Sequence, residues 1–117
     1  MGALRYVNLY DELIEALDKN DKKLSDIKWI GVMGEGCFDT KQFLKIAKEF
    51  SYDSGFGLIE INEQLIVVGK DWWLERHEYD GSEWWEFKTM PVKPDNILKG
   101  TDDEIKEIIK HKWVIEK

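Results

Sequence analysis

The sequence predicts an α+β fold, in which an antiparallel β-meander of about four strands carries two or three helices packed on one face. Two early segments combine helix-capping residues with apolar residues at helical spacing, and a third begins at Thr101-x-x-Glu104. Between Leu58 and Met90 the apolar residues alternate or form blocks of four, which is typical of strands. Within that region Asp80-Gly81 is the strongest short hairpin signal that a sequence carries.

The first helix is predicted from Asn8 to Lys19. Asn8 suits the N-cap position, and Asp11 places a negative charge in the first turn, where it complements the helix dipole. One face of this helix is apolar and comprises Leu9, Tyr10, Leu13, Ile14 and Leu17. After a polar turn, alternation from Ile27 to Gly31 predicts a short strand.

The glycines from Gly31 to Gly36 precede the second helix, but they do not form a nucleotide-binding motif. The Lys-Ser/Thr pair of a P-loop is missing, and the spacing does not fit the dinucleotide fingerprint. Glu35 would also repel phosphate. We therefore interpret these glycines as a loop that positions the helix.

The second helix has the clearest start signal in the chain. Asp39 is the expected N-cap, Gln42 completes a capping box, and Phe38 is placed to pack on Phe43 as a hydrophobic staple. The expected buried stripe is Phe43, Ala47 and Phe50, with Leu44 and Ile46 beside it. The segment Ser51 to Gly57 has two glycines and several small polar residues, and we expect irregular backbone there.

The strands then follow one another closely. We predict strands at Leu58–Ile61 and Leu65–Val68. The second has four apolar residues in a row and is expected at the centre of the sheet, buried on both faces. Gly69 to Asp71 turns the chain. Strands Trp72–Tyr79 and Ser82–Thr89 then flank the Asp80-Gly81 turn.

Beyond the sheet, the sequence predicts a third helix. Pro91 and Pro94 cannot donate ladder hydrogen bonds and therefore end the strands. The helix beginning at Thr101 has the apolar stripe Ile105, Ile108 and Ile109, followed by the basic residues Lys110, His111 and Lys112 at its negative end. The segment Trp113–Ile115 is expected either to add an edge strand or to fold back onto the core.

Length and composition limit the possible functions. The 117 residues correspond to one domain, residues 1–117, with a radius of gyration of about 13 Å if compact. The net charge of −7 argues against direct binding to nucleic-acid phosphates. Cys37 is the single cysteine and the histidines are only His77 and His111, so we expect no disulfide, structural zinc or other cofactor. No apolar run or signal segment indicates a membrane, and we expect a cytoplasmic protein.

The predicted hairpin has two faces, because strand side chains alternate. A two-residue turn pairs Tyr79 with Ser82 and, further along, Glu75 with Glu86. One face has the composition of a core, with Arg76 placed near its rim above Trp85 as a cation–π contact. It contains Trp72, Leu74, Arg76, Trp85 and Phe87. The other face contains Trp73, Glu75, His77, Tyr79, Trp84, Glu86 and Lys88.

This second face has two interpretations. Its aromatic residues can pack beneath the helices and leave the charges at the margin. Alternatively, it is an exposed aromatic and acidic patch, a composition enriched at protein interfaces. In the second case the candidate binding residues are Trp73, Glu75, His77, Tyr79, Trp84 and Glu86. Exposed tryptophan at a sheet edge is also compatible with a homodimer.

A catalytic interpretation of the same residues is weaker. His77 has Glu75, Glu86 and Tyr79 nearby and is a candidate general base. However, no serine or cysteine lies in a recognisable nucleophile motif, and two carboxylates are fewer than a hard-cation site usually needs. A small His/Glu-dependent hydrolase is therefore the least favoured of the functions considered, and we assign no catalytic residue.

Three segments carry a resemblance to small proteins encoded in phages and prophages of Gram-positive bacteria. They are Tyr52–Gly57, Leu65–Gly69 and, most distinctively, the hairpin Trp72–Lys88. The resemblance implies an accessory protein acting in a bacterial cytoplasm, and it transfers no functional residue. We therefore expect a non-enzymatic protein that binds a host or phage protein through the hairpin.

The alternative is an acidic inhibitor that mimics nucleic acid and occupies the groove of a host nucleic-acid-binding protein. Its basis is the overall charge, because residues 70–90 contain six acidic against three basic side chains. The two functions differ in salt dependence, since binding through charge weakens steeply with ionic strength.

Overall fold

The structure, a computed structural model, describes residues 6–55 and 58–110 and has the α+β architecture expected from the sequence. Its helices are α1 (Leu9–Lys19), α2 (Thr40–Ala47) and α3 (Asp102–Ile109). Its strands are β1 (Tyr6–Asn8), β2 (Trp29–Val32), β3 (Gly36–Cys37), β4 (Ser51–Asp53), β5 (Leu65–Val68), β6 (Trp72–Tyr79) and β7 (Ser82–Thr89).

The main sheet has the strand order β3-β2-β5-β6-β7, and every neighbouring pair is antiparallel. The β6–β7 hairpin has the register predicted from its turn, with Tyr79 opposite Ser82 and Glu75 opposite Glu86. Asp80 and Gly81 have φ angles of 53° and 88°, the two positive values that a type I′ turn requires. The prediction that β5 is central is also confirmed, but the prediction that it is buried on both faces is wrong, because Ile66 and Val68 are only partly buried.

The core lies between the helices and one face of this sheet. Because the apolar residues of α1 and α2 recur at helical spacing, each helix presents a single buried stripe to the strands. The buried residues from the helices are Leu9, Leu13, Leu17, Phe43 and Ala47, and those from the main sheet are Ile30, Leu65, Val67, Trp72, Leu74 and Trp85.

The predicted N-caps are confirmed, but at α2 the structure shows only the bond to the Asp39 side chain and not the full capping box expected with Gln42. The side chain of Asn8 accepts a hydrogen bond from the backbone N–H of Asp11, and Asp39 does the same for Gln42, each at 3.0 Å. The hydrophobic staple also forms, since the rings of Phe38 and Phe43 are 5.2 Å apart. At α3, Thr101 and Glu104 exchange both capping-box bonds.

Two strand assignments from the sequence are wrong. Residues 58–61 do not form a strand, because the backbone N–H groups of Glu60 and Ile61 donate to the carboxylate of Glu83, at 2.8 and 3.2 Å, instead of joining a ladder. Conversely, residues 51–53 were expected to be irregular, but they form β4 and pair with β1 in a separate two-stranded sheet.

Several apolar residues that the sequence placed in the core are exposed. Phe50 and Ile46 are 41% and 52% exposed, although Phe43 and Ala47 of the same stripe are buried. Ile108 and Ile109 on α3 are also exposed, so this helix does not pack on the sheet as expected. The radius of gyration is 19.4 Å, larger than the compact value of about 13 Å.

The predictions for His111, Lys112 and Trp113–Ile115 lie outside the described residues, as do those for residues 56 and 57. In the part of the chain that is described, none of the helices has both the length and the apolar composition needed to cross a bilayer.

Candidate functional site

The second face of the hairpin points away from the helices, so the interpretation that it packs beneath them is wrong. Since α1 and α2 cover the face that carries Trp72, Leu74 and Trp85, alternation turns the other face outward. We call this surface the outer hairpin face. It comprises Trp73, Glu75, His77, Tyr79, Trp84, Glu86 and Lys88.

Glu75 lies at the centre of a hydrogen-bonded group on the outer hairpin face. The indole N–H of Trp73 donates to Glu75 Oε1 at 2.6 Å. His77 Nε2 lies 2.7 Å from Glu75 Oε2, and Lys88 Nζ is 3.6 Å from the same oxygen. The carboxylate is thus surrounded by donors, which offsets the unfavourable pairing of Glu75 with Glu86 across the two strands.

The neighbouring strand repeats part of this arrangement. The indole N–H of Trp84 donates to Glu86 Oε1 at 2.9 Å, as Trp73 does to Glu75, so each strand carries a Trp-x-Glu pair. The ring of Trp84 also stacks on that of His77, with centroids 6.4 Å apart. Among the described residues Glu86 forms no ion pair, which leaves its carboxylate able to accept a cation from outside the chain.

Tyr79 lies at the tip of the hairpin and is 76% exposed. It shares the outer hairpin face but does not join the hydrogen-bonded group in the described part of the chain. Five of the six residues predicted as a site therefore form one continuous group, and the sixth is an exposed aromatic at its end.

The sequence analysis missed residues that extend this surface across the sheet. Trp29 pairs with Val68, which in turn pairs with Trp73, so these three side chains form one row on the outside. Ile66 lies in the next row, opposite Glu75. Only the sheet order brings β2 beside the hairpin by way of β5, and no local pattern in the sequence indicates that order.

The hydrogen bonds to Glu75 favour the ionised form of its carboxyl group. Those from His77 and then Trp73 hold the pKa of Glu75 below its ordinary value of 4.5. Because the pKa of Glu75 is lower in the folded state, its ionised carboxylate stabilises the fold at pH values above its ordinary pKa. This stabilisation is lost as the pH falls through the lowered pKa of the folded state.

Replacing His77 by alanine should therefore raise the pKa of Glu75 toward 4.5, because the largest stabilising contact of the carboxylate is removed. A carboxyl-carbon NMR titration of both proteins measures this directly. Lys88→Met is the control and should cause a smaller change, since Lys88 contributes less. An identical Glu75 midpoint with and without His77 would contradict this account.

A second polar cluster lies on the inner face, directly behind this surface. Arg76 donates to Glu12 Oε1 and Glu83 Oε1, each at 3.2 Å, and to the hydroxyl of Tyr52 at 2.7 Å. Tyr52 itself donates to Glu12 Oε1 at 2.6 Å. Burial and this bond to a carboxylate raise the pKa of Tyr52, so the phenol stays protonated.

The expectation for Arg76 was correct in one respect and wrong in another. Its guanidinium does lie over the ring of Trp85, at 4.8 Å from the centroid. However, it is not at the rim, because only 3% of its side chain is exposed and two carboxylates surround it. Arg76 alternates with Trp72 and Leu74, so the sequence already places it on the buried face of the strand. Because a buried charge needs partners, this position was the signal that Arg76 has them.

The two clusters differ in how their carboxylates are paired. The buried carboxylates are neutralised by Arg76 and by backbone donors, and within the described residues no group of three or more histidine, cysteine or acidic side chains is placed to hold a metal. The outer hairpin face instead presents indole rings beside fixed carboxylates. Comparison with known proteins returned no matching family model, curated protein or solved structure.

Proposed function

We propose that this chain is a non-enzymatic accessory protein of a phage or prophage, which binds a host or phage protein in the bacterial cytoplasm through the outer hairpin face. The observation that carries the proposal is the pair of Trp-x-Glu units, in which each indole fixes the carboxylate of its own strand on a face without helices. The resemblance of the hairpin to phage-encoded proteins supports the biological setting.

The surface favours a partner that presents a basic side chain surrounded by apolar groups. Glu86 has no cation of its own within the described residues, and the rings of Trp84 and His77 stack beside it. An arginine placed there gains both a charge-assisted hydrogen bond and contact with an aromatic ring. The apolar row of Trp29, Val68 and Trp73 then provides area around that contact.

Capture from a host lysate by the Trp73→Ala/Trp84→Ala double variant tests the proposal. We expect the specific partner to be lost, because truncation of aromatic anchors costs more binding energy than most interface changes. Parent and variant proteins are immobilised, and the captured proteins are compared by mass spectrometry. Far-UV circular dichroism confirms that the variant is folded.

Tyr6→Ala is the matched control. Tyr6 is 70% exposed and lies on β1, in the two-stranded sheet. The substitution therefore removes an exposed aromatic side chain without altering the outer hairpin face. The control should capture the same partner as the parent. Equal capture by the parent and the folded double variant would show that the outer hairpin face is not the binding surface.

Mimicry of nucleic acid remains a second candidate, supported by a groove between α1 and β7. This groove has a volume of about 1040 Å³, and α1 contributes Asp11, Glu12 and Glu15 to its lining, together with one basic residue, Lys19. Binding by mimicry should weaken steeply as salt is raised, and Asp11→Asn/Glu15→Gln should reduce it. Binding through aromatic anchors should change little in the same titration.

A further inference from the structure

The strand β7 forms one edge of the main sheet, and no other strand of the described structure pairs with its free side. The opposite edge of the sheet is β3, which has only two residues and is therefore a poor template for a further strand. In contrast, β7 has eight residues without proline, glycine or a bulge, since all of them pair in unbroken register with β6. A long, regular edge of this kind is the form that accepts another strand.

The turn of the hairpin decides which main-chain groups of β7 point away from β6. The two residues that flank a two-residue turn form a hydrogen-bonded pair, and such pairs then alternate along the ladder. Glu83, Trp85 and Phe87 therefore direct their N–H and C=O groups toward the free edge. Glu83 agrees with this alternation, because its N–H donates to the backbone oxygen of Ser54 at 2.8 Å. Within the described residues, the N–H groups of Trp85 and Phe87 have no such acceptor.

This free edge forms one wall of the groove between α1 and β7. Every residue from 82 to 87 lines the groove, and because neighbours on a strand face opposite sides of the sheet, the groove follows the edge of β7 and not one of its faces. A strand of about six residues spans about 20 Å, so an extended segment of that length fits along this wall. The other wall is one side of α1, with lining residues that recur at helical spacing. They are Asn8, Asp11, Glu12, Glu15, Ala16 and Lys19.

The wall formed by α1 is acidic. Asp11 and Glu15 are exposed and form no ion pair within the described chain, whereas Glu12 is already paired with Arg76. Lys19, the one basic residue of the lining, lies at the C-terminal end of the helix. A second copy of this chain fits poorly, because two β7 strands paired about a two-fold axis place both α1 helices, with the same carboxylates, side by side on one face of the sheet. The groove therefore favours an occupant with basic side chains.

We propose that β7 binds an extended basic segment of another protein, which adds to the main sheet as one further strand in the groove beside α1. The segment runs antiparallel to β7, as every neighbouring pair in this sheet does. Its alternate residues lie toward Asp11 and Glu15, where lysine or arginine gains charge-assisted hydrogen bonds. The same residues exchange main-chain hydrogen bonds with Trp85 and Phe87, because opposed antiparallel residues share a face. This binding uses the edge of the sheet and does not depend on the outer hairpin face.

Synthetic peptides added to the full chain test the proposal. The probe is the capped hexapeptide Lys-Val-Lys-Val-Lys-Val, added up to millimolar concentration in an NMR titration of isotope-labelled protein. We expect amide shifts centred on Trp85 and Phe87 and slower hydrogen exchange of these two N–H groups. Methylation of the lysine main-chain nitrogens should abolish binding, because it removes the donors that face β7. Methylation of the valine nitrogens, which face away, should leave binding unchanged, whereas a partner held by charge alone would not distinguish the two peptides.

Charge variants of the protein provide a second arm of the test. Asp11→Asn/Glu15→Gln should weaken binding of the probe by about 5-fold, since each exposed ion pair contributes modestly. The matched control is Asp18→Asn/Glu49→Gln, which removes two exposed carboxylates outside the groove lining and should bind like the parent. Trp73→Ala should also bind the probe normally, because Trp73 does not line this groove. Failure here and failure of the outer hairpin face in lysate capture are therefore distinguishable.

Several results would overturn the proposal. The probe might fail to bind, or the probe methylated at its lysines might bind as well as the probe itself. Equal binding of a counterpart with glutamate in place of lysine would show that the acidic wall of α1 does not select the partner. Size-exclusion chromatography with light scattering tests the remaining occupant, because a parent dimer that protects the N–H groups of Trp85 and Phe87 from exchange would assign the edge to a second copy.

Discussion

Replacing Arg76 by methionine is expected to lower the free energy of unfolding by about 3–5 kcal/mol, the largest effect of any single substitution outside the apolar core. The guanidinium is buried and contacts Glu12, Glu83 and Tyr52 at once. Its removal leaves two carboxylates in a desolvated position without their counter-charge. Urea unfolding followed by far-UV circular dichroism measures the loss without depending on the fluorescence of Trp85.

The control for Arg76 is Lys88→Met on the neighbouring strand. Lys88 is partly exposed and lies 3.6 Å from Glu75, so its removal should cost less than about 1 kcal/mol. A double variant sharpens the test, because Arg76→Met/Glu12→Gln removes one of the stranded charges and should recover part of the loss. Full stability of Arg76→Met, or a double variant less stable than the single one, would contradict the cluster as described.

The two tryptophans that begin β6 should respond very differently to truncation. Trp72→Ala is expected to cost about 3–5 kcal/mol, because the side chain is 3% exposed and its ring stacks on Phe87 at 5.7 Å. Trp73→Ala should cost about half of that or less, since this side chain is half-buried on the outer hairpin face. Urea unfolding of the two variants side by side gives the comparison.

The opposite strand provides an independent repeat of this test. Trp85 is 8% exposed on the inner face, whereas Trp84 is 37% exposed on the outer one. Trp85→Ala should therefore resemble Trp72→Ala in its loss of stability, and Trp84→Ala should resemble Trp73→Ala. Equal costs within either adjacent pair would mean that the two faces of the hairpin are wrongly assigned.

The sequence predicts this hairpin well because its information is local. Asp80-Gly81 fixes the turn, the turn fixes the register, and the register assigns every side chain to a face. The same is true of the helix caps, where Asn8, Asp39 and Thr101 each act on a residue three positions away. In these cases one short segment contains both partners of the interaction.

Interactions between distant segments were beyond the reach of the same reasoning. Arg76 donates a hydrogen bond to Glu12 of α1, 64 positions away in the sequence. No sequence pattern near either residue predicts that the two side chains meet. The segment 58–61 was misassigned for a related reason. Its apolar alternation is typical of a strand, but Glu83 accepts the N–H groups of residues 60 and 61, and a side chain thus replaces the neighbouring strand.

The location of the candidate site was therefore predictable, but its extent was not. The alternation of β6 and β7 selected Trp73, Glu75, His77, Trp84 and Glu86, and the structure places all five in one contacting group. Whether that group faced the helices or the outside depended on which side of the sheet α1 and α2 cover. The addition of Trp29 depended on strand order, which is a property of the whole chain.

The separate β1–β4 pair has a consequence for the order in which the molecule forms. Two residues join β6 to β7, and such a hairpin closes within microseconds. In contrast, Asn8 pairs with Ser51 across a long segment of sequence that contains both α1 and α2. Contacts between distant parts of a chain form late, because closing a longer loop costs more entropy. When the full chain refolds from the unfolded state, we therefore expect Trp72 and Trp85 to be displayed before the helices cover them. Refolding at high concentration is where this protein is most exposed to aggregation.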